Sequence, residues 1–139
     1  SHLTIIPPYF FILYNLHIFI TMKITIGDNI IKVKLCVTKD SIIKGMQGQK
    51  FNDEFQGMYF LMPSKGEQSF WMYDCIIPLD IIFINGDNID TIHENCPICT
   101  NELECESYTG YGDKVLELPA GMSKQLGIKK GDNVSFSLF

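Results

Sequence analysis

The residues from Phe70 to Ile84 read FWMYDCIIPLDIIFI, and the predicted fold is built around them. This stretch packs more apolar bulk around fewer polar side chains than any other part of the chain, so it predicts core. Pro78 has no N–H to donate and divides the stretch into an aromatic strand and a second strand, Leu79–Ile84. Its two acids, Asp74 and Asp80, each need a hydrogen-bond donor, because burial of an unpaired carboxylate costs several kcal/mol.

The chain before this stretch predicts a β-hairpin followed by one short helix. A turn cluster at Gly27–Asn29 follows the first apolar residues and suits a tight hairpin. The returning segment, Ile31–Val37, alternates apolar with other side chains, which is the period of a half-buried strand. Thr38 is expected to cap a helix that runs to about Lys44, with Gly45 ending it.

Two further turns are predicted, one on each side of the core stretch. Gly57–Leu61 is typical of a strand, and Pro63–Gly66 is expected to turn the chain back into the aromatic strand around Trp71. On the other side, Asn85–Asn88 contains an Asn-Gly pair between apolar segments, which is the strongest short-range signal for a hairpin. The returning strand is predicted at Ile89–Glu94.

The last third of the chain begins with a long segment that has no clear periodicity. Cys96–Gly112 contains three cysteines, and a loop of that length in a compact domain predicts a lid or rim. Val115–Leu118 then predicts a strand, Pro119–Leu126 a short helix, and Val134–Leu138 a strand that closes the sheet. The fold is therefore predicted to be mostly β, as a small curled sheet or open β-barrel with two or three short helices.

Length and charge limit the classes of function. With 139 residues and a hydrophobic share of 46%, the chain suits one domain with a substantial core. Its 11 basic and 16 acidic residues give a net charge of -5, and the lysines are scattered along the chain. A nucleic-acid partner is therefore not expected, because no cluster of cations is available to neutralise phosphates.

The segment 1–21 contains no Asp, Glu, Lys or Arg. We interpret it as an apolar N-terminal extension of a single β-rich domain that spans residues 22–139. Prolines and polar residues leave it short of the ~20 uninterrupted apolar residues of a membrane span, so a membrane partner is not expected. The protein is expected to be cytoplasmic if translation starts at Met22, and exported or membrane-attached if residues 3–21 act as a signal or anchor. A homo-oligomer formed through residues 1–21 is a further expectation.

Three separated sequence blocks occur in a fixed order. They are Gly57–Phe60, then Phe70–Met72 with Pro78–Phe83, then Val115–Gly121. Through these blocks, about residues 22–136 resemble the domain-of-unknown-function 192 family. The resemblance implies a compact β-rich domain with short helices, often found in exported bacterial proteins, and no established activity. It therefore indicates a fold and not a reaction.

The chain departs from the family pattern at two places. The family usually has Asn-Thr where this chain has Asp74 and Cys75, and an Arg where it has Gln49. If that Arg normally pairs with an acid across the core, Gln49 removes the partner. Lys50 would replace it imperfectly, because an ammonium group lacks the planar guanidinium fork. A site shared by the family would therefore be altered in this chain.

Asp80 and Glu117 are the candidate catalytic residues, since each is an acid set in an apolar strand. Paired carboxylates can serve as general acid and general base, with burial raising the pKa of one of them. We expect both to border one cavity together with Trp71 and Asp74. The structural alternative is that each carboxylate accepts hydrogen bonds at a strand end.

An aromatic group around Trp71 is the candidate binding site. Trp71, Tyr73 and Tyr108 are expected to line a cleft, and Asp74 beside these rings could receive a cation or a sugar. Exposure of the same side chains at a rim is the structural alternative.

Four residues carry the ligand types that zinc prefers, namely His93, Cys96, Cys99 and Cys105. A full zinc ribbon would have a second CxxC pair, which the sequence lacks, so we expect no metal and no cofactor. The family resemblance suggests that Cys99 pairs with Cys105, while free thiols and a metal site stay open as alternatives. Cys75 or Cys96 could act as a nucleophile only with a nearby base, most simply His93.

The leading prediction for function is a ligand-binding or accessory interaction module for a small molecule or peptide. The alternative is a small hydrolase that uses Asp80 with Glu117, or Cys96 with His93. A strongly perturbed acid beside an open pocket would favour the hydrolase. A flat apolar patch without a pocket would indicate a module that only contacts other proteins.

Overall fold

A computed structural model of the chain describes residues 21–137. Seven strands and two short α-helices make up this part of the protein, with one 3-10 turn at Glu102–Glu104. The strands are β1 (Thr21–Ile26), β2 (Asn29–Cys36), β3 (Gly57–Trp71), β4 (Leu79–Asn85), β5 (Asn88–Cys96), β6 (Ser107–Pro119) and β7 (Val134–Ser137). The helices are α1 (Lys39–Lys44) and α2 (Met122–Gln125). The expectations for residues 1–20 lie outside the described residues.

All seven strands belong to one sheet in the order β5-β4-β6-β3-β2-β1-β7. The β2–β3 pair is parallel, and the other neighbouring pairs are antiparallel. The two edges approach each other at one end, where the Ile89 N–H donates to the Asp132 carbonyl at 3.0 Å and the Val134 N–H donates to the Asp87 carbonyl at 2.7 Å. The sheet is therefore curled into a half-barrel, which confirms the predicted fold class.

Strand β4 is buried on both faces, as its apolar run predicts. Ile82 and Ile84 belong to a hydrophobic core on one face of the sheet, which we call the first core. Ile81 and Phe83 belong to a second core on the other face. Because the strand separates two cores, its apolar side chains are continuous and do not alternate with polar ones.

The turn predicted at Pro63–Gly66 is wrong, because β3 continues through it as one strand of 15 residues. β6 is long enough to pair with both halves of β3, so the chain keeps its direction. The register shifts between Leu61 and Gly66, where four residues of β3 face Asp113 alone. Pro63 lies in this bulge, where its missing N–H removes no hydrogen bond from the ladder.

The long loop predicted from Cys96 to Gly112 is also wrong in its extent. β6 begins at Ser107 and includes the residues that were expected to form the rim. What is left between β5 and β6 is a short connection that contains the 3-10 turn and a disulfide between Cys99 and Cys105. No helix in the range 21–137 is long and apolar enough to cross a membrane.

The predicted helices are present, with one shift of boundary. Thr38 caps α1 through a capping box with Ser41, and Gly45 ends the helix at φ 48°. The C-terminal helix α2 begins at Met122 and not at Pro119, because Pro119 still belongs to β6 and Gly121 makes the intervening turn at φ 89°.

Candidate functional site

Glu117 lies in the middle of the sheet with its side chain directed into the second core. On β6 it is paired with Met58 of β3 and with Ile81 of β4, and both of these residues belong to that core. The residue is only 3% exposed. Desolvation by burial raises the pKa of its carboxyl group to about 8. No hydrogen bond to this carboxyl group is found within residues 21–137, and burial is the one cause of its raised pKa.

The Glu117 carboxyl group borders a cleft of about 240 Å³ between α1, the turn that follows it, and β3. The walls of this cleft are mostly apolar and include Ile42, Ile43, Met46, Met62, Phe70 and Trp71. Cys75 also lines it. The cleft is open to solvent on the side of Trp71, whose ring is 40% exposed, and Ile43, which is 63% exposed. It therefore combines an apolar lining with one buried polar group.

The turn after α1 lies over Glu117, where Gly45 allows a close approach and the side chains of Gln49 and Lys34 hold the backbone in place. Gly45 lies so close that a Cβ there would be 3.5 Å from Phe60 Cζ and 3.8 Å from Glu117 Oε1. Gln49 Nε2 donates to the Gly45 carbonyl at 2.7 Å, and Lys34 Nζ donates to Gln49 Oε1 at 3.3 Å. Gln49, which stands where the family usually has an arginine, therefore stabilises the turn and does not contact Glu117.

The titratable groups that face Glu117 from neighbouring elements are three thiols and two lysines, and of the lysines Lys34 is held by Gln49. Burial raises the pKa of Cys36 on β2 and of Cys75 after β3 to about 12, and that of Cys96 at the end of β5 to about 11. These thiols are therefore protonated at neutral pH. Lys44 lines the cleft from α1 with an exposed side chain, and within the described range it forms no ion pair with Glu117.

Asp80 lies on the opposite face of the sheet from Glu117. It is paired with Leu118 in the ladder, and residues that face each other across an antiparallel pair share a face, so Asp80 is on the side of the first core. Glu117 is paired with Ile81, the residue after Asp80, and successive side chains of a strand point to opposite faces. The carboxyl groups of Asp80 and Glu117 therefore point in opposite directions. The expectation that they border one cavity is therefore wrong.

The contacts of Asp80 are those of a structural acceptor. The residue is fully buried, and its Oδ1 accepts from the Asn95 N–H at 2.9 Å and the Gly121 N–H at 3.1 Å. Its Oδ2 accepts from the Ser123 N–H at 2.9 Å and the Ser123 hydroxyl at 2.7 Å. Four hydrogen bonds thus connect the start of β4 to the end of β5 and to α2, as the structural alternative predicted.

Of the four residues predicted to bind a ligand, Trp71 is the one that lines the cleft. Tyr73 packs against Trp71 with 5.2 Å between ring centroids, outside the lining. Tyr108 is nearly buried and packs against His93, with ring centroids 5.4 Å apart. Asp74 adopts φ 58°, and its backbone N–H donates to the Cys99 carbonyl at 3.0 Å. The aromatic group is therefore divided between the cleft and a separate packing cluster.

The four candidate zinc ligands do not converge on one point. Cys99 and Cys105 are joined in a disulfide, as the resemblance suggested. His93 Nε2 is 2.7 Å from the Thr109 carbonyl and so donates to it, and the Cys96 thiol donates to the His93 carbonyl at 3.4 Å. No group of three or more potential ligands that could hold a metal occurs in the range 21–137. The same contacts give no support to Cys96 as a nucleophile activated by the His93 imidazole.

The turn after α1 was not predicted to be part of a site. Met46 and Gln47 line the cleft, and Met46 is almost fully buried. Met46 follows the expected end of the helix and precedes a polar segment. Its apolar side chain in this polar setting was the one signal in the sequence that the turn packs against the domain. Met62 lies in the bulge of β3, and its place in the cleft depends on the long-range pairing of β3 with β6, which the local sequence does not show.

Two solved structures share this fold. A protein of unknown function from Novosphingobium aromaticivorans is 30% identical, with 84% of each chain covered and a TM-score of 0.71. A protein from Sinorhizobium meliloti, described as a proposed transcription regulator, is 25% identical, with 86% of this chain and 95% of that chain covered and a TM-score of 0.73. No curated protein matches the chain.

Residues 22–136 match the domain-of-unknown-function 192 family, which is described as Uncharacterized ACR. The match covers all seven strands except Thr21 at the start of β1 and Ser137 at the end of β7. It also includes the cleft and Glu117. The chain therefore belongs to the domain-of-unknown-function 192 family.

Proposed function

We propose that this domain is a binding module that takes a small molecule, or the end of a short peptide, in the cleft beside Glu117. The observation that carries the proposal is the Glu117 carboxyl group, which is 3% exposed, accepts no hydrogen bond within residues 21–137 and borders the cleft. Burial of a carboxyl group without a partner lowers stability. A ligand that supplies the missing partner would remove that cost.

The shape and lining of the cleft support the same proposal. Small-molecule sites are concave and mostly apolar, with a few polar groups that orient the ligand. Here the apolar walls enclose a single buried carboxyl group, and Trp71 and Ile43 leave a large apolar area exposed at the mouth. Exposed apolar area next to a concave site is typical of a surface that becomes covered on binding.

A hydrolase is the second candidate, and one specific observation favours it. A carboxyl group with a pKa of about 8 is largely protonated at neutral pH and could act as a general acid in an open cleft. Its proposed partner Asp80 lies on the other face of the sheet, and the Cys75 thiol in the cleft is protonated. Glu117 would then have to act without a second catalytic side chain, so we place binding first.

We do not extend the description of the Sinorhizobium meliloti protein as a transcription regulator to DNA binding by this chain. The net charge of -5 and the scattered lysines oppose contact with phosphates.

For the apolar residues 1–21 we propose association between copies. Light scattering tests this, because removal of residues 1–21 should reduce the associated mass, and an unchanged mass contradicts it.

The binding proposal can be tested with the chain's single tryptophan, which lines the cleft. A titration with small apolar amines, alcohols and short peptides should change the Trp71 fluorescence in a saturable manner. Ile43→Ser should weaken this response at least several-fold, because it removes part of the wall. Ile30→Ser is the matched control, since Ile30 is 66% exposed and does not line the cleft. Absence of any saturable response, or equal loss in both variants, would refute the proposal.

A further inference from the structure

We propose that the cleft selects an organic cation, an ammonium or guanidinium group on an aliphatic stem, with the charged end on the Glu117 carboxylate. This inference rests on the proposed binding function and specifies the chemistry of its ligand. It depends on three features of the described residues: a buried acid without a counter-ion, walls that fit an aliphatic chain, and an aromatic ring at the mouth.

The missing counter-ion is the first argument. The groups that face Glu117 are the thiols of Cys36, Cys75 and Cys96, which are uncharged at neutral pH, and two lysines. Lys44 has an exposed side chain, and Lys34 donates to Gln49 Oε1 at 3.3 Å and forms no ion pair with Glu117 within the described residues. The pKa of Glu117 is raised by desolvation alone, so no protein cation stabilises its ionised form. A buried carboxylate is stable when it is paired with an opposite charge that also donates hydrogen bonds. In this cleft the ligand has to supply that charge.

The walls are the second argument, and they determine the rest of the ligand. Ile42, Met46, Met62 and Phe70 would contact the stem, as apolar walls contact the methylene groups of lysine and arginine side chains. Methionine side chains adapt to irregular shapes, so stems that differ slightly can be accommodated. A purely polar cation would not use this lining.

Trp71 at the mouth is the third argument. Its ring lines the cleft and is 40% exposed, so a cation that enters passes close to the indole. Tryptophan is the aromatic side chain that attracts cations most strongly, and guanidinium groups also stack on it. The net charge of -5 further favours the approach of a cation over that of an anion.

Binding of a cation should release a proton. In the empty cleft, burial keeps the Glu117 carboxyl group mostly protonated at pH 7, since its pKa is about 8. A cation binds the ionised form, so each pH unit below this pKa should reduce the affinity about tenfold, and the affinity should level off above it. A neutral ligand that accepts a hydrogen bond from the protonated carboxyl group would show the opposite trend and bind more weakly as pH rises through 8.

The experiment compares n-butylguanidinium with pentan-1-ol, a neutral probe with a stem of similar length, by Trp71 fluorescence and calorimetry from pH 5.5 to 9. We expect butylguanidinium affinity to rise about tenfold per pH unit up to about pH 8, with release of nearly one proton at pH 7. Equal or tighter binding of pentan-1-ol at pH 9, where the Glu117 carboxyl group is ionised, would overturn the cation inference and leave the binding function intact. If neither probe gives a saturable signal, both the inference and the proposed function fail.

Two variants separate the carboxyl group from the rest of the cleft. Glu117→Gln keeps the shape of the side chain and should abolish both the pH dependence and the proton release for butylguanidinium while it retains pentan-1-ol binding. Glu67→Gln removes an exposed acid on β3 and should change neither. If Glu117→Gln retains the rise in affinity with pH, the proton comes from another group and the inference is wrong.

Discussion

Replacement of Glu117 by glutamine should stabilise the domain, and the gain should grow with pH. The carboxyl group has an ordinary pKa of 4.5, and burial raises this to about 8 in the folded chain. Between these values the unfolded chain loses the proton while the folded chain keeps it. The contribution of a group whose pKa is raised is therefore complete below about pH 4.5 and is lost as pH rises to about 8.

The magnitude follows from the difference between the two pKa values. Each pH unit in this window costs about 1.4 kcal/mol, so the wild-type free energy of unfolding should be lower by about 3 kcal/mol at pH 7 than at pH 4 on account of this group alone. The amide of Glu117→Gln does not titrate. The difference in stability between variant and wild type should thus be near zero at pH 4 and about 3 kcal/mol at pH 7 in favour of the variant.

Urea titrations at several pH values, without ligand, measure this difference directly. Glu67→Gln is the control, because Glu67 lies on the exposed side of β3 and its removal should shift stability little at any pH. A Glu117→Gln variant that is less stable than wild type at pH 7, or whose difference from wild type does not change with pH, would refute the argument. Either result would show that ionisation of the buried Glu117 carboxyl group does not carry the cost assigned to it.

Three further predictions concern the fold away from the cleft. Asp80→Asn should lower the free energy of unfolding by about 3 kcal/mol in urea titrations, because an amide cannot accept all four hydrogen bonds made by Asp80, and unchanged stability would contradict its structural role. Reduction of the Cys99–Cys105 disulfide should increase the intact mass by two hydrogen atoms, and a mass that does not change would show that the bond is absent. Replacement of both cysteines by serine should lower the free energy of unfolding by about 2 kcal/mol while the Trp71 response to ligand is kept. Gly112→Ala should cost more than about 3 kcal/mol, because its Cβ would lie 2.0 Å from the Ile84 carbonyl oxygen, whereas Gly66→Ala across the same strand pair meets nothing within 4 Å and should cost much less.

The parts of the fold that depend on local sequence could be predicted. The alternation in β2, the Asn-Gly turn between β4 and β5, and the Thr38 cap of α1 each depend on residues a few positions apart. The turn at Pro63–Gly66 failed for the opposite reason. Whether the chain reverses there depends on a partner strand almost 50 residues away, and β6 pairs with β3 on both sides of the bulge.

The candidate site depends on the register in which β4 and β6 pair, and a single sequence does not determine that register. Asp80 and Glu117 lie in adjacent strands, but a shift of one residue in their pairing moves a side chain from one face of a strand to the other. The observed register places Asp80 among hydrogen-bond donors and Glu117 in the cleft. Trp71 could be predicted as a site residue because it belongs to the aromatic group in the core stretch. The turn at Gly45–Gln47 could not be predicted, because its position over Glu117 is a tertiary contact.

The most direct test of the central claim is a carbon-13 NMR titration of the Glu117 side-chain carboxyl group, with and without n-butylguanidinium. We expect a midpoint near the pKa of about 8 in the free protein, and a clearly lower midpoint when the cation is saturating, because the cation binds the ionised form. A midpoint near the ordinary value of 4.5 that the cation does not move would contradict it.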